Sequence, residues 1–387
     1  MRVLLLNAGS SSLKCAVMES AGGAEIASAA GDWAGAVTRY RVSGASGPDD
    51  WREVPWRGHA EAARHALADL PLGALGGVGH RIVHGGEFTS SLRVTPAVRA
   101  RIAELADVAP LHNPPGLETL AAAEAALPNV PQVAVFDTAF HASLPPEART
   151  YPIPEAWTRD WGLRRYGFHG LSHDYCARRA AELLGRPAAE LRLVTCHLGH
   201  GCSAAAVRGG RSVDTTMGFS PLEGLMMATR SGSVDPGLLL HAQLRHGLSA
   251  KQVETALERE SGLLGVSGVS GDMRAVLSAA RAGDARAQLA VDVYTHRIRQ
   301  AIGAFAATLG GVDALVFTAG VGENSAEVRA ASCGGLEFLG LELDEAANAR
   351  ARPDADVARP GSRGRILVIA TREEDTMLRE VTRVLQP

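Results

Sequence analysis

The sequence predicts a duplicated α/β fold, two lobes with a cleft between them, each a strand meander followed by alternating helices and strands. Two turns carry that reading. Asn7-Ala8-Gly9-Ser10-Ser11-Ser12-Leu13-Lys14 follows the apolar run 3–6 and leads into Cys15-Ala16-Val17. In the second half, His197-Leu198-Gly199-His200-Gly201-Cys202-Ser203 follows the apolar run 191–196 and leads into Ala204-Ala205-Ala206-Val207. Each reads as strand, tight turn, strand. Turns dense in Gly and Ser direct backbone N–H groups and hydroxyls at anionic oxygens, so one per lobe implies a polyphosphate gripped between the two.

The elements follow in order. Residues 2–43 alternate extended runs with Gly-rich turns and form the first meander. Helical spacing appears at 60–70, a loop at 71–79, a strand at 78–83, and helices near 96–106 and 116–127. The short buried strand 133–136 ends at Asp137. The second half repeats the order, with strands at 191–196, 204–208 and 211–215, and helices at 237–246, 250–259 and 284–309. Strand 314–317 runs into Thr318-Ala319-Gly320-Val321-Gly322-Glu323-Asn324. A last strand spans 365–370, and a C-terminal helix starts near 373.

At 387 residues the chain is long enough for two or three domains and an ample core. A net charge of -3 with 21% charged residues gives no support for nucleic-acid or membrane-surface binding. The five cysteines are odd in number and form no C-x-x-C pair, which fits a reducing, cytoplasmic setting rather than a disulfide framework. The N-terminal apolar run breaks at Asn7, too short for a signal-peptide core, and no apolar segment approaches a membrane span. Lysine occurs only at positions 14 and 251. Retention of Lys14 inside the first turn places a compact, mobile charge where arginine would bring a planar fork.

Two signatures fail on context. Gly199-His200-Gly201-Cys202-Ser203-Ala204 fits G-x-G-x-x-A, but a strand-like segment follows where a dinucleotide-binding loop opens a helix. His80/His84 and His169/His173 have i, i+4 spacing without the H-E-x-x-H pattern, which argues against zinc hydrolysis. No G-x-x-x-x-G-K-[ST] loop is present. Arg, His and Asp instead recur beside Gly at predicted strand ends, where α/β folds place their active sites.

The motifs N-x-G-S-S-S-x-K, H-R-x-V-H-G-G, V-F-D-T-A-F-H, Y-G-F-H-G, M-G-F-S-P-L-E-G, T-R-S-G and T-A-G-x-G-E-N occur in this order across nearly the whole chain. In this the sequence resembles the acetate kinase family, within the superfamily of acetate and sugar kinases, heat-shock chaperone ATPases and actin. The resemblance implies two ribonuclease-H-like lobes, a homodimer, and reversible ATP-dependent phosphorylation of acetate to acetyl phosphate with Mg²⁺ or Mn²⁺. It implies an N-terminal lobe of residues 1–148 plus 371–387 on the acyl and phosphate side. Residues 149–370 would form the lobe for nucleotide binding and dimerisation.

Residue by residue, the resemblance makes Asn7 and Glu373 the metal-associated pair and sets Lys14 near the nucleotide phosphates. Arg81, His169 and Arg230 would clamp the carboxylate and the phosphoryl group in flight. Asp137 matches the family's active-site aspartate, and His112 lies in its P-L-H-N loop. Val83, Leu111, Phe168 and Pro221 match the acyl pocket, beside Arg81. His197, Leu198, Gly199, His200 and Gly201, then Asp272, Met273 and Arg274, then Gly320, Val321, Gly322, Glu323 and Asn324, match the nucleotide loops. Three departures stand out: His200 replaces an asparagine, Gly271 replaces a serine, and Arg372 replaces an asparagine beside the metal carboxylate.

A carboxylate acceptor has a pKa of roughly 4–5, so at neutral pH it is already ionised and needs no general base. The obstacle is bringing an anion against a polyanion, which calls for cations and aligned donors. Asp137 is therefore read as holding metal or orienting an arginine, not as a proton acceptor. Two alternatives share the scaffold: a propionate or butyrate kinase with a larger pocket, and an actin- or chaperone-like switch ATPase.

Overall fold

Leu4, Leu5 and Leu6 alternate between the two faces of their strand, and all three are buried. A strand apolar on both faces belongs inside a sheet that is covered on both sides. It is strand β1 (Arg2–Ala8) of the computed structural model, which describes residues 1–44, 50–107 and 113–386. Two compact units form, Met1–Ala142 with Arg372–Pro387, and Ser143–Thr371.

In the first unit, β2 (Ser12–Glu19), β3 (Glu25–Asp32), β4 (Thr38–Ser43) and β5 (Arg52–Val54) extend outward from β1 as an antiparallel meander. On its other side β6 (Leu75–Ile82) and β8 (Gln132–Phe136) add in parallel, and β7 (Leu92–Arg93) closes that edge antiparallel to β8. The Gly9 N–H donates to the Ser12 carbonyl at 2.8 Å, closing the β1–β2 turn and setting Asn7 opposite Lys14. The C-terminal helix Glu373–Leu385 returns to lie on β6, β1 and β8. Gly79 of β6 admits it, since a Cβ there would meet Val381 Cγ2 at 2.5 Å.

The second unit holds β9 (Arg192–Leu198), β10 (Cys202–Arg208), β11 (Arg211–Thr215), β12 (Ala314–Thr318), β13 (Ala355–Asp356) and β14 (Arg365–Val368), in the order β11-β10-β9-β12-β14-β13. Three antiparallel strands followed by two parallel ones reproduce β3-β2-β1-β6-β8 of the first unit in order and direction. The duplication read from the two turns is thus a duplication of the ribonuclease-H-like sheet. The long helix Ala285–Leu309 covers β9 and β10. Asp284 caps its start by accepting from the Arg286 and Ala287 N–H groups, and Gly310 ends it at φ 71°.

Among the features absent from the reading of the sequence, two bear on the site. Residues 319–324, to which that reading gave no element, wind into a short helix, Ala319–Asn324. A further helix, Gly170–Leu184, starts directly after His169. Its first turn buries Gly170, Ser172 and His173, small or polar residues that blur the apolar stripe by which a helix is recognised.

Candidate active site

In a parallel arrangement neighbouring strands end on the same edge, and β1, β6 and β8 bring Asn7, Arg81 and Asp137 to it. Asp137 is fully buried and grips Arg81 at both ends of its fork: Nε donates to Oδ1 at 2.9 Å and Nη2 to Oδ2 at 2.7 Å. Arg81 Nη1 donates to Asn7 Oδ1 at 3.0 Å and lies 3.3 Å from Glu373 Oε2, while Asn7 Nδ2 donates to that same oxygen at 2.9 Å. Burial works against the guanidinium charge, but Asp137 and Glu373 outweigh it and hold the Arg81 pKa above its ordinary value. The arginine is locked, charged and aimed by carboxylates that also fix its rotamer.

Glu373 begins the C-terminal helix with Glu374 beside it. Burial first, then the Glu373 charge, raises the Glu374 pKa, with Lys14 and Arg81 opposing. The Glu373 carboxylate and the Asn7 carboxamide, joined at 2.9 Å, offer hard oxygens of the kind that suit Mg²⁺, which binds one or two carboxylates together with substrate phosphates. Arg372 does not join them. Its side chain is exposed and makes neither hydrogen bond nor ion pair with Glu373, so the cation beside that carboxylate is Arg81.

In the second unit His169 stands just before the helix Gly170–Leu184 with φ 57°, a left-handed conformation uncommon for a residue with a Cβ and often found at functional sites. Its imidazole stacks on His197, centroids 4.2 Å apart, and its Nδ1 pairs with Ser203 Oγ at 2.8 Å. His197 Nδ1 in turn pairs with Ser172 Oγ at 2.8 Å. Arg230 approaches the same spot. A Cβ on Gly201 would lie 2.6 Å from Arg230 Nη2 and 3.2 Å from His169 Cε1 and Nε2, so cation and imidazole converge over this glycine. Arg230 Nη1 donates to the Pro221 carbonyl at 2.6 Å. Among the described residues no carboxylate lies within ion-pair distance of it. Burial accordingly lowers its pKa, with Glu258 opposing from further off. Unlike Arg81, this guanidinium is held by a neutral carbonyl and keeps its charge for an incoming anion.

A cavity of about 1230 Å³ lies in the same unit. Its walls include Gly199, His200, Asp272, Met273, Arg274, Gly320, Val321 and Asn324 from the predicted nucleotide loops, with Thr229, Gly271 and Leu277. Asp272 caps the helix Met273–Arg281 and chelates Arg274. His200 sits at the wall with its pKa lowered, first by desolvation and then by the Arg230 charge, which favours the neutral ring. A Cβ at Gly271 would press on the Ala228 carbonyl at 3.1 Å, so the glycine relieves a tight contact.

The other predicted residues are placed as follows. Leu198 is buried in β9, and the Gly322 and Glu323 carbonyls accept from the buried Arg329. The Glu323 carboxylate accepts from the Thr371 N–H at 2.8 Å. Lys14 and the half-buried Val83 belong to the first unit, whereas the buried Phe168 and Pro221 belong to the second. Leu111 and His112 lie outside the described residues. Of the two histidine pairs, His80 Nε2 bonds Gln132 Oε1 at 2.7 Å, and His173 Nδ1 and Nε2 bond Thr195 and Ser203 at 2.7 and 2.8 Å. Glu374, Ser172, Ser203, His173 and Thr195 receive no site role from the sequence. Glu374 beside Glu373, Ser203 in the second turn and His173 four residues after His169 left a signal; Ser172 and Thr195 left none.

A carboxylate-locked arginine on one sheet, an anion-ready arginine and histidine on its duplicate, and a glycine-walled cavity define a phosphotransferase of the duplicated ribonuclease-H-like class. The chain belongs to the acetokinase family, whose model matches residues 2–379. It is 47% identical to the acetate kinase of Cyanothece sp., covering 100% of this chain and 99% of that protein. Among solved structures, Porphyromonas gingivalis acetate kinase has a TM-score of 0.91 at 38% identity, covering 100% of both chains. A propionate kinase from Francisella tularensis has a TM-score of 0.90 at 33% identity, covering 99% of each.

Proposed function

We infer that the protein is an acetate kinase, transferring the γ-phosphoryl group of ATP to acetate to give acetyl phosphate and ADP, reversibly. The observation that carries this is Arg230, a guanidinium with no counter-carboxylate among the described residues, converging with His169 on Gly201. An already ionised nucleophile needs charge neutralisation rather than a base, and this pair supplies donors for the equatorial oxygens of a phosphoryl group in flight. Arg81, held by Asp137, serves the acetate carboxylate, and Asp137 acts by orienting that arginine. Val83 of the first unit and Phe168 and Pro221 of the second are the apolar residues assigned to the selection of the acyl group.

The cavity takes the adenine nucleotide, with Leu277 and Val321 against the base and the glycine turns 199–201 and 320–322 toward the phosphates. Glu373 and Asn7 would hold Mg²⁺, which when bound offsets charge on the phosphates. The second unit is thus the nucleotide side and the first the acyl side. A second copy of the chain covers the helix Pro236–His246, which buries no residue of its own and exposes Leu238, Leu240 and Leu244 at 56%, 57% and 79%. Light scattering at the dimer mass tests this. Five buried free cysteines support a reducing, cytoplasmic setting.

A hydroxamate assay across formate, acetate, propionate and butyrate tests the activity. Acetate-dependent acyl phosphate and ADP are expected. Release of ADP independent of any acid would instead identify a switch ATPase, and a preference for propionate would identify the longer-chain kinase.

A further inference from the structure

Arg230 is anchored through a loop that is itself held by three side chains on which no role has yet fallen. Residues 215–224 run from the end of β11 to Gly224. Glu223 is gripped from both sides, since Arg165 Nη2 donates to its Oε1 at 2.9 Å and the Tyr151 hydroxyl donates to its Oε2. The Tyr151 oxygen also accepts from the Phe219 N–H at 2.9 Å. Arg165 Nη1 donates to three successive carbonyls, Thr215, Thr216 and Met217, at 3.0, 3.1 and 3.1 Å.

The packing around this loop is tight. Gly218 has no space for a Cβ because the Tyr151–Glu223 pair occupies it, and Gly224 stands at φ 105° with the Thr216 carbonyl 2.5 Å from a Cβ position. The loop touches the proposed chemistry at two points. Its Pro221 carbonyl receives Arg230 Nη1 at 2.6 Å, and its Gly218 carbonyl receives the Tyr166 and Gly167 N–H groups at 3.0 and 3.2 Å, two residues before His169. One loop therefore contacts the supports of both groups that meet at Gly201.

We propose that Tyr151, Arg165 and Glu223 form a positioning clamp that holds Arg230 and His169 in register through the loop 215–224. This rests on the acetate kinase reading only in taking Arg230 as the group that stabilises the transferring phosphoryl. The clamp touches neither substrate nor nucleotide; it acts by keeping the Pro221 carbonyl where Arg230 needs it. A misplacement near 1 Å at a reacting group costs about 10²-fold in rate.

The test uses Glu223→Gln, which removes the charge while keeping the shape, and Tyr151→Phe, which removes only the hydroxyl and keeps the ring that lies 5.5 Å from the Arg165 guanidinium carbon. Each is made in the parent and in an Arg230→Lys background, and turnover is measured with whichever carboxylate the parent phosphorylates. Expected are losses in kcat of about 10²-fold for Glu223→Gln and about tenfold for Tyr151→Phe. ADP binding by calorimetry should stay within about twofold, because the nucleotide cavity lies off this loop. In the Arg230→Lys background the further loss should shrink to less than about threefold, as for groups acting through one another.

Parental kcat in both variants, or losses that multiply in full with Arg230→Lys, would overturn the clamp. So would a lowered unfolding temperature with turnover retained, which marks a structural role alone. Parent turnover on acetate is a separate measurement: its absence overturns the acetate reading while the variant ratios still decide the clamp.

Discussion

Substituting Gly201 with alanine tests the convergence of Arg230 and His169 directly. Gly201 lies outside the left-handed region, so the backbone accepts a side chain without strain. The new methyl would sit 2.6 Å from Arg230 Nη2 and 3.2 Å from the nearest His169 ring atoms. An ordinary contact of that kind needs about 3.5 Å, so the guanidinium tip must retreat by about 0.9 Å. That tip is the mobile end of a long side chain, and the fold absorbs the change there at small cost. Transition-state stabilisation does not. A shift near 1 Å corresponds to about 10²-fold in rate, or about 2.7 kcal/mol at the barrier. Gly201→Ala should therefore lower kcat in the hydroxamate assay by about 10²-fold. The unfolding temperature should move by no more than about 2 °C, as for a substitution that perturbs stability by a few tenths of a kcal/mol. A calorimetric ADP titration shows how much of the loss comes through nucleotide binding, since the turn 199–201 is assigned to the phosphates. A folded Gly201→Ala enzyme with kcat within threefold of the parent would refute the convergence. A large drop in unfolding temperature would show that the methyl meets rigid structure instead of a movable arginine.

Arg230→Ala should reduce kcat by at least about 10³-fold with little change in the ATP KM, and Arg230→Lys should recover only part, since an ammonium cannot span two oxygens as the fork does; near-parental turnover would exclude the catalytic role. Val83→Ala should shift the acetate-to-propionate ratio of kcat/KM toward propionate by less than about tenfold, the scale of one methylene in an apolar pocket, and an unchanged ratio would remove Val83 from the acyl site. Arg372→Asn should leave the Mg²⁺ concentration for half-maximal rate unchanged, because Arg372 is exposed and Arg81 is the cation on Glu373; a lowered requirement in a magnesium titration would contradict that geometry.

What the amino-acid sequence determines here is local. The apolar run before Asn7 and its counterpart before His197 must be buried strands, and the Gly-Ser and Gly-His-Gly turns after them must double back, because nothing else satisfies their hydrophobicity and turn chemistry. The same holds for the helix that begins after Asp284 and stops at Gly310, with cap and terminator both written in the chain. Family motifs extended this legibility to Arg81, Asp137, His169 and Arg230 as individual residues. Partnerships between distant positions were not legible. That Asp137 grips Arg81 in a bidentate fork, with Glu373 arriving from the far end of the chain, follows from strand order and from the C-terminal helix seating on Gly79. Arg372 shows the limit: adjacency to Glu373 in sequence implies a contact, but at a helix start successive side chains diverge, and the neighbour's charge points into solvent. His169 and Ser203 meet only because the start of the helix Gly170–Leu184 lies beside β10, and Arg230 and Pro221 meet only because the loop 215–224 turns back on Arg230. Hydrogen-bond geometry of a few tenths of an ångström is a property of packing, and packing depends on every element at once.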